Sequence, residues 1–137
     1  MKWLVAHIKW IMLISGILTT TMLYVAIAPH AALTSNFGHS LEAGGPLAEL
    51  IVRNWGVLIG LVGVMLIYGA FDPPGRPFIL TIAGLSKLAF IVLVLTVGKE
   101  YLGQPIRLAV VIDAIWVVVF AAYLVGSRTT ARVPSSV

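Results

Sequence analysis

Two oppositely charged side chains lie where lipid hydrocarbon would surround them. Lys87 falls midway along the apolar run Phe78 to Val97, and Asp113 falls within another, Ile106 to Val125. A charge at bilayer depth costs roughly 2.5 to 3.5 kcal/mol even on permissive scales, so each of them needs compensation. An ammonium and a carboxylate can neutralise one another and fix helix register, or they can serve a proton, an ion or a ligand. Arg53 is the third candidate for this intramembrane polar site, with Glu49 and Asn54 beside it at the start of the run Leu50 to Ala70.

Spacing sets the expected levels of these groups. With a rise of ~1.5 Å per residue, the Lys87 backbone is ~13 to 15 Å from either end of its run. Asp113 begins about two turns into the fourth run, which enters from the same side as the second. Its carboxylate is therefore expected between the levels of Arg53 and Lys87, within reach of an ammonium extended toward that side. Glu49, Arg53, Gly56, Gly60, Gly63 and Ile67 alternate steps of four and three, which places them on one seam of a helix. Gly56 and Gly60 form a G-x-x-x-G, a spacing that lets a second backbone approach closely. Arg53 either shares that packed face or snorkels to headgroups beside Trp55. Ala83 and Gly84, one turn before Lys87, predict a closely packed surface around it. Ser15, Thr19 and Thr20 are expected to hydrogen-bond within or between helices. His30 and His39, with Glu42 nearby, match no metal-ligand spacing and read as solvated loop residues, and His7 reads as interfacial.

The elements that must hold these groups are four apolar runs, about 11–28, 50–70, 78–97 and 106–125. Each approaches the ~20 residues needed to cross ~30 Å of hydrocarbon. Hydrophobic residues make up 60% of the chain and charged residues 10%, which a soluble fold of 137 residues could not bury. Between the runs stand Pro29, Gly44-Gly45-Pro46, the segment Asp72 to Pro77, and Gly98 to Pro105. Pro46, Pro77 and Pro105 each precede a run, where a missing N–H does least harm. The predicted fold class is all-α, a single-domain four-transmembrane-helix bundle followed by a polar tail, 128–137. Short connections make the second and third spans, and the third and fourth, antiparallel neighbours. The longer connection from His30 to Pro46 carries Leu33, Phe37 and Leu41 at a spacing of four, which predicts a short amphipathic helix at the interface.

Several classes are excluded or unsupported. Basic residues are scattered singly despite the net charge of +4, so no nucleic-acid surface is expected. Absence of cysteine excludes disulfides and thiolate metal sites. There is no phosphate-binding glycine motif, zinc helix motif, nucleophile elbow or pair of span histidines, so no catalytic residue, cofactor or metal is assigned. Lys2, Lys9 and the pattern Ala26-Ile27-Ala28 imitate a secretory signal. The 18-residue run from Ile11 to Ala28 is too long for a typical signal core, and Pro29 stands just after the cleavage point, so retention is expected. Lys2, Lys9, Arg76, Arg128 and Arg132 fall on the side of the termini, against Arg53, Lys99 and Arg107 opposite, which predicts cytoplasmic termini.

Arg53-Asn54-Trp55-Gly56 opening the second span, and Gly84-Leu85-Ser86-Lys87 inside the third, resemble small bacterial DoxX-like membrane proteins. The resemblance implies a four-helix bundle in the bacterial inner membrane and an accessory role, and it carries over no catalytic residue. Three functional readings stand at this point. The first is a non-enzymatic accessory or small-ligand- or partner-binding protein with a buried Lys–Asp centre. The second is a proton- or ion-coupled transporter acting as a homo-oligomer, and the third is an enzyme acting on a lipid or quinone. Membrane lipid is the expected surrounding in every case, with a second copy or a partner membrane protein as possible company.

Overall fold

A computed structural model of the chain describes residues 2–39, 41 and 44–130. Expectations that fall on Glu42, Arg132 and the tail from 131 onward lie outside the described residues. The elements are α1 (Lys2–Thr20), α2 (Leu23–Ile27), α3 (Pro29–Phe37), α4 (Gly45–Phe71), α5 (Arg76–Thr96), a 3-10 turn (Lys99–Gly103) and α6 (Ile106–Thr130). The chain is all-α among the described residues and builds a four-helix bundle. Four segments are long and apolar enough to cross a membrane: Trp3–Ile27, Gly45–Phe71, Arg76–Thr96 and Ile106–Arg128. This is a multi-pass membrane protein.

Helix ends extend past the apolar runs. The first helix begins at Lys2, well before Ile11, and the second span begins at Gly45. A run of apolar residues marks the part of a helix that lipid covers, whereas helical hydrogen bonding can continue beyond it into the headgroup layer. The first span is broken at Thr21 and Met22. There the Thr20 hydroxyl donates to Gly16 O at 2.8 Å and that of Thr21 to Leu18 O at 2.5 Å, back-bonding that loosens the regular ladder. Proline stands in the first turn of α3, α4 and α5, as its missing donor and fixed φ favour.

Two broad interfaces organise the bundle, α1 and α2 against α4, and α5 against α6. The first is made by glycine. Gly16, Gly56, Gly60 and Gly63 are buried, and a β-carbon on Gly56 would come within 2.7 Å of the Ala26 backbone nitrogen. One on Gly63 would collide with the Thr20 backbone, and one on Gly60 with the Leu23 side chain. Since lipid is as apolar as leucine, such backbone-to-backbone contact, rather than expulsion of water, holds these helices together. Gly84 behaves differently from the expectation that it packs closely. It is half-buried, and an added β-carbon would meet nothing nearer than Phe120 at 4.0 Å. Its neighbour Ala83 takes the packed face and is fully buried.

The two helix pairs meet in a core of Ile8, Met12, Leu66, Ala70, Ile79, Leu80, Ala83, Phe120 and Tyr123. These residues come from the first half of the first span and of α5 and the last half of α4 and α6, so the core fills the end of the bundle that carries Lys2 and Thr130. Outward faces are apolar, with Ile14, Leu58, Leu61, Leu85, Leu93 and Val118 among many exposed side chains, as lipid contact requires. At the opposite end lies α3, which carries Leu33 and Phe37 of the predicted helix but ends at Phe37, so that Leu41 falls outside it in a bend. Phe37 stands edge-on to Tyr101 of the 3-10 turn at 5.4 Å and tilted against Trp55 of α4 at 6.4 Å. Gly38 ends this helix in the left-handed region at φ 69, with the Gln104 side chain filling the space a β-carbon would need.

Candidate functional site

Lys87 and Asp113 meet at mid-bundle. The ammonium Nζ donates to Asp113 Oδ1 at 2.5 Å and to Thr19 Oγ1 at 3.3 Å, so three helices converge on one charge. Only 8% of the Lys87 side chain and 19% of the Asp113 side chain is exposed. Desolvating the pair is costly, and the attraction between its charges at low dielectric offsets that cost only when hydrogen bonds complete the shell. Thr19 supplies such a bond. It belongs to an inward seam of α1, Ile8, Met12, Ser15 and Thr19, all buried, which places hydroxyls just where the ammonium arrives. Ser15 Oγ, one turn earlier, is fully buried and has no hydrogen-bond partner among the described residues.

Helix geometry explains the pairing. Lys87 shares an inward face of α5 with Leu80, Ala83 and Val94, each buried, which turns its side chain into the bundle. An ammonium has three donors, of which two are used here, and a carboxylate has about four lone-pair sites. Asp113 makes its one hydrogen bond among the described residues through Oδ1, leaving Oδ2 open.

Beside the pair is a partly open cavity of about 230 Å³ walled by every span. Leu18, Thr19 and Met22 come from the first, Trp55, Ile59 and Val62 from α4, Ser86, Lys87 and Phe90 from α5, and Ile106, Ala109, Ile112, Asp113 and Trp116 from α6. Asn36 of α3 adds to the rim. Lys87 and Asp113 are the charged groups in this wall, which is otherwise apolar or aromatic with a few hydroxyl, amide and indole groups. Trp116 stacks on Phe120 at 6.2 Å, so the cavity floor rests directly on the packed core. A mainly apolar recess with a few convergent polar groups is the form that small-molecule sites take.

Arg53, Glu49 and Asn54 are placed elsewhere. Arg53 donates Nε and Nη2 to Glu49 Oε1 at 2.9 and 2.6 Å, and Nη1 to Ala26 O at 2.5 Å and Ile27 O at 3.3 Å. Those carbonyls end α2, so the guanidinium caps orphan acceptors at a helix C-terminus, where a cation is also favoured by the dipole. Glu49 in turn lies 3.9 Å from the His30 ring. Asn54 is exposed and does not line the cavity. Arg76 performs the equivalent service for α4, donating to Gly69 O at 3.1 Å and Ala70 O at 2.8 Å. Of the residues proposed for the polar centre, the structure thus brings together Lys87 and Asp113, sends Arg53 and Glu49 to a separate cluster, and leaves Asn54 exposed outside both.

Several wall residues carry no sequence signature of a site. Trp55 reads as an interfacial anchor and Thr19 as a packing residue, and Phe90, Ala109 and Trp116 sit in featureless apolar runs. The seam Ile8, Met12, Ser15, Thr19, at steps of four and three, was the available signal for Thr19. Comparison with protein-family models, curated proteins and solved structures gives no match to this chain.

Proposed function

We propose that this chain is a non-enzymatic membrane protein that binds a small ligand in the cavity among its four spans, with the Lys87–Asp113 pair as the polar anchor. The observation that carries the reading is the position of the pair: it forms one wall of a 230 Å³ recess instead of being sealed into the core. A pair that served only register gains nothing from a cavity beside it, since an unfilled space forfeits van der Waals contacts. Transport by a single copy is less well supported, because the core from Met12 to Phe120 blocks the other end of the bundle. One chain supplies the entire wall, so binding needs no second copy. Placement in a bacterial inner membrane, cytoplasmic termini, a cavity near the outer surface and an accessory role of the DoxX-like kind belong to the same proposal.

The test is native mass spectrometry of protein released from membranes, comparing the wild-type chain with Ala109→Phe, which fills the cavity. Non-covalent adducts are expected on the wild type and lost from the filled variant. Identical adduct patterns would remove the cavity as the binding site. Orientation is checked with an impermeant thiol reagent on intact spheroplasts: Ser35→Cys should react and Ser135→Cys should not.

A further inference from the structure

The cavity's size and charge balance together narrow the ligand class. An engineered apolar cavity of about 150 Å³ admits benzene, so the 230 Å³ recess here suits one ring bearing a few further heavy atoms. It is too small to hold most of an extended amphiphile. Trp55, Phe90 and Trp116 in the wall offer ring faces and edges, against which another aromatic packs in offset or edge-to-face geometry.

Polar recognition is set by the ion pair. Lys87 has a donor beyond those given to Asp113 and Thr19, and Asp113 has Oδ2, so the pair offers a donor and an acceptor side by side. With one positive and one negative charge in the wall, the recess carries no net charge for an ionic ligand to neutralise. An anion drawn to Lys87 would lie beside the Asp113 carboxylate, and a cation drawn to Asp113 would lie beside the ammonium, each repelled at low dielectric. A hydroxyl accepts from the ammonium and donates to the carboxylate, and disturbs neither charge.

Resting on the binding reading above, we propose that the cavity takes a neutral single-ring aromatic alcohol, of the substituted-phenol class, with its hydroxyl on the Lys87–Asp113 pair and its ring between Trp55, Phe90 and Trp116.

The experiment measures binding to the full chain in lipid nanodiscs by intrinsic tryptophan quenching and by shift of the unfolding temperature. Probes are 4-ethylphenol, ethylbenzene, 4-ethylbenzoate and 4-ethylbenzylammonium, with empty nanodiscs correcting for partition into lipid. Saturable binding of 4-ethylphenol is expected, at least about ten-fold tighter than ethylbenzene, as hydrogen bonds to charged groups imply. Both ionic probes should bind more weakly than the phenol. Ala109→Phe and, independently, Ile59→Phe should abolish binding, and either suffices if the other fails to fold. In the double variant Lys87→Met, Asp113→Leu, the preference for phenol over ethylbenzene should vanish. Equal binding of ethylbenzene, or tighter binding of an ionic probe, would overturn the assignment of a neutral hydroxyl. If no probe binds but wild-type adducts persist and the Ala109→Phe chain lacks them, the ring-sized ligand is wrong and the binding reading stands. Loss of both observations would end the two together.

Discussion

The two ends of this bundle are made of the same four helices with the same apolar character, yet one is packed solid and the other is hollow. At the end carrying Lys2 and Thr130, Met12, Leu66, Leu80 and Phe120 interdigitate and are fully buried. At the end carrying α3, side chains from the same helices stand back around a cavity, and the Lys87–Asp113 pair occupies its wall. The difference does not lie in hydropathy, which is high throughout. It lies in which side chains face inward: large aliphatic and aromatic groups meet across the solid end, whereas hydroxyls and charges alternate with apolar groups at the hollow one. Glycine holds α4 against the first span at both levels, so helix α4 itself does not collapse into the space.

The largest effect is expected at the boundary between the ends. Lys87→Met or Asp113→Leu leaves the partner charge in a largely buried site, a loss of about 3 to 5 kcal/mol where neither protonation nor water relieves it. The double substitution should recover most of that loss in detergent unfolding. Additive losses would mean that the two side chains do not depend on one another. Next comes the contrast between the ends themselves. Leu66→Ala should cost about 2 to 5 kcal/mol by opening a void in the solid core. Ile59→Ala, two turns away on the same helix but facing space already present, should cost distinctly less. Similar losses would indicate that the hollow end closes in solution.

Glycine substitutions sharpen the account at smaller magnitude. Gly63→Ala places a methyl against the Thr20 backbone, which cannot yield cheaply, and overpacking of that kind costs about 1 to 3 kcal/mol. Gly84→Ala meets only Phe120 at ordinary contact distance. It should be neutral or stabilise by up to about 1 kcal/mol through helix propensity. Equal destabilisation by the two would show that the α5–α6 interface is as close as that of α1 and α4.

Much of this architecture is legible in the sequence because lipid imposes it. Run length gives the spans, proline and glycine give the breaks, and the cost of a buried charge forces Lys87 and Asp113 to seek each other. The pattern at Leu33, Phe37 and Leu41 anticipates α3 in part, since the left-handed Gly38 ends the helix before Leu41. Arg53 was ambiguous because a seam fixes the face of a helix but not the neighbour at that level. Its neighbour is the C-terminal end of α2, which stops at Ala28 because the residue before Pro29 is turned out of the helical region. Gly84 misleads for a related reason, since a small residue permits close approach without requiring it. The cavity leaves no mark at all, because a void depends on the volumes of side chains from every span, and no single segment records that sum.

The contrast between a hollow and a solid end is tested most directly by single cysteines in this cysteine-free chain. Ile59→Cys faces the cavity, and Leu66→Cys faces the core from the same side of α4. A thiol reacts as its thiolate, which water supports and hydrocarbon does not. In the folded protein in nanodiscs, a small water-soluble methanethiosulfonate should modify Ile59→Cys and leave Leu66→Cys intact, and Ala109→Phe should slow the first reaction. Equal protection of both cysteines, or equal reactivity, would contradict the existence of an accessible cavity at one end of the bundle and a sealed core at the other.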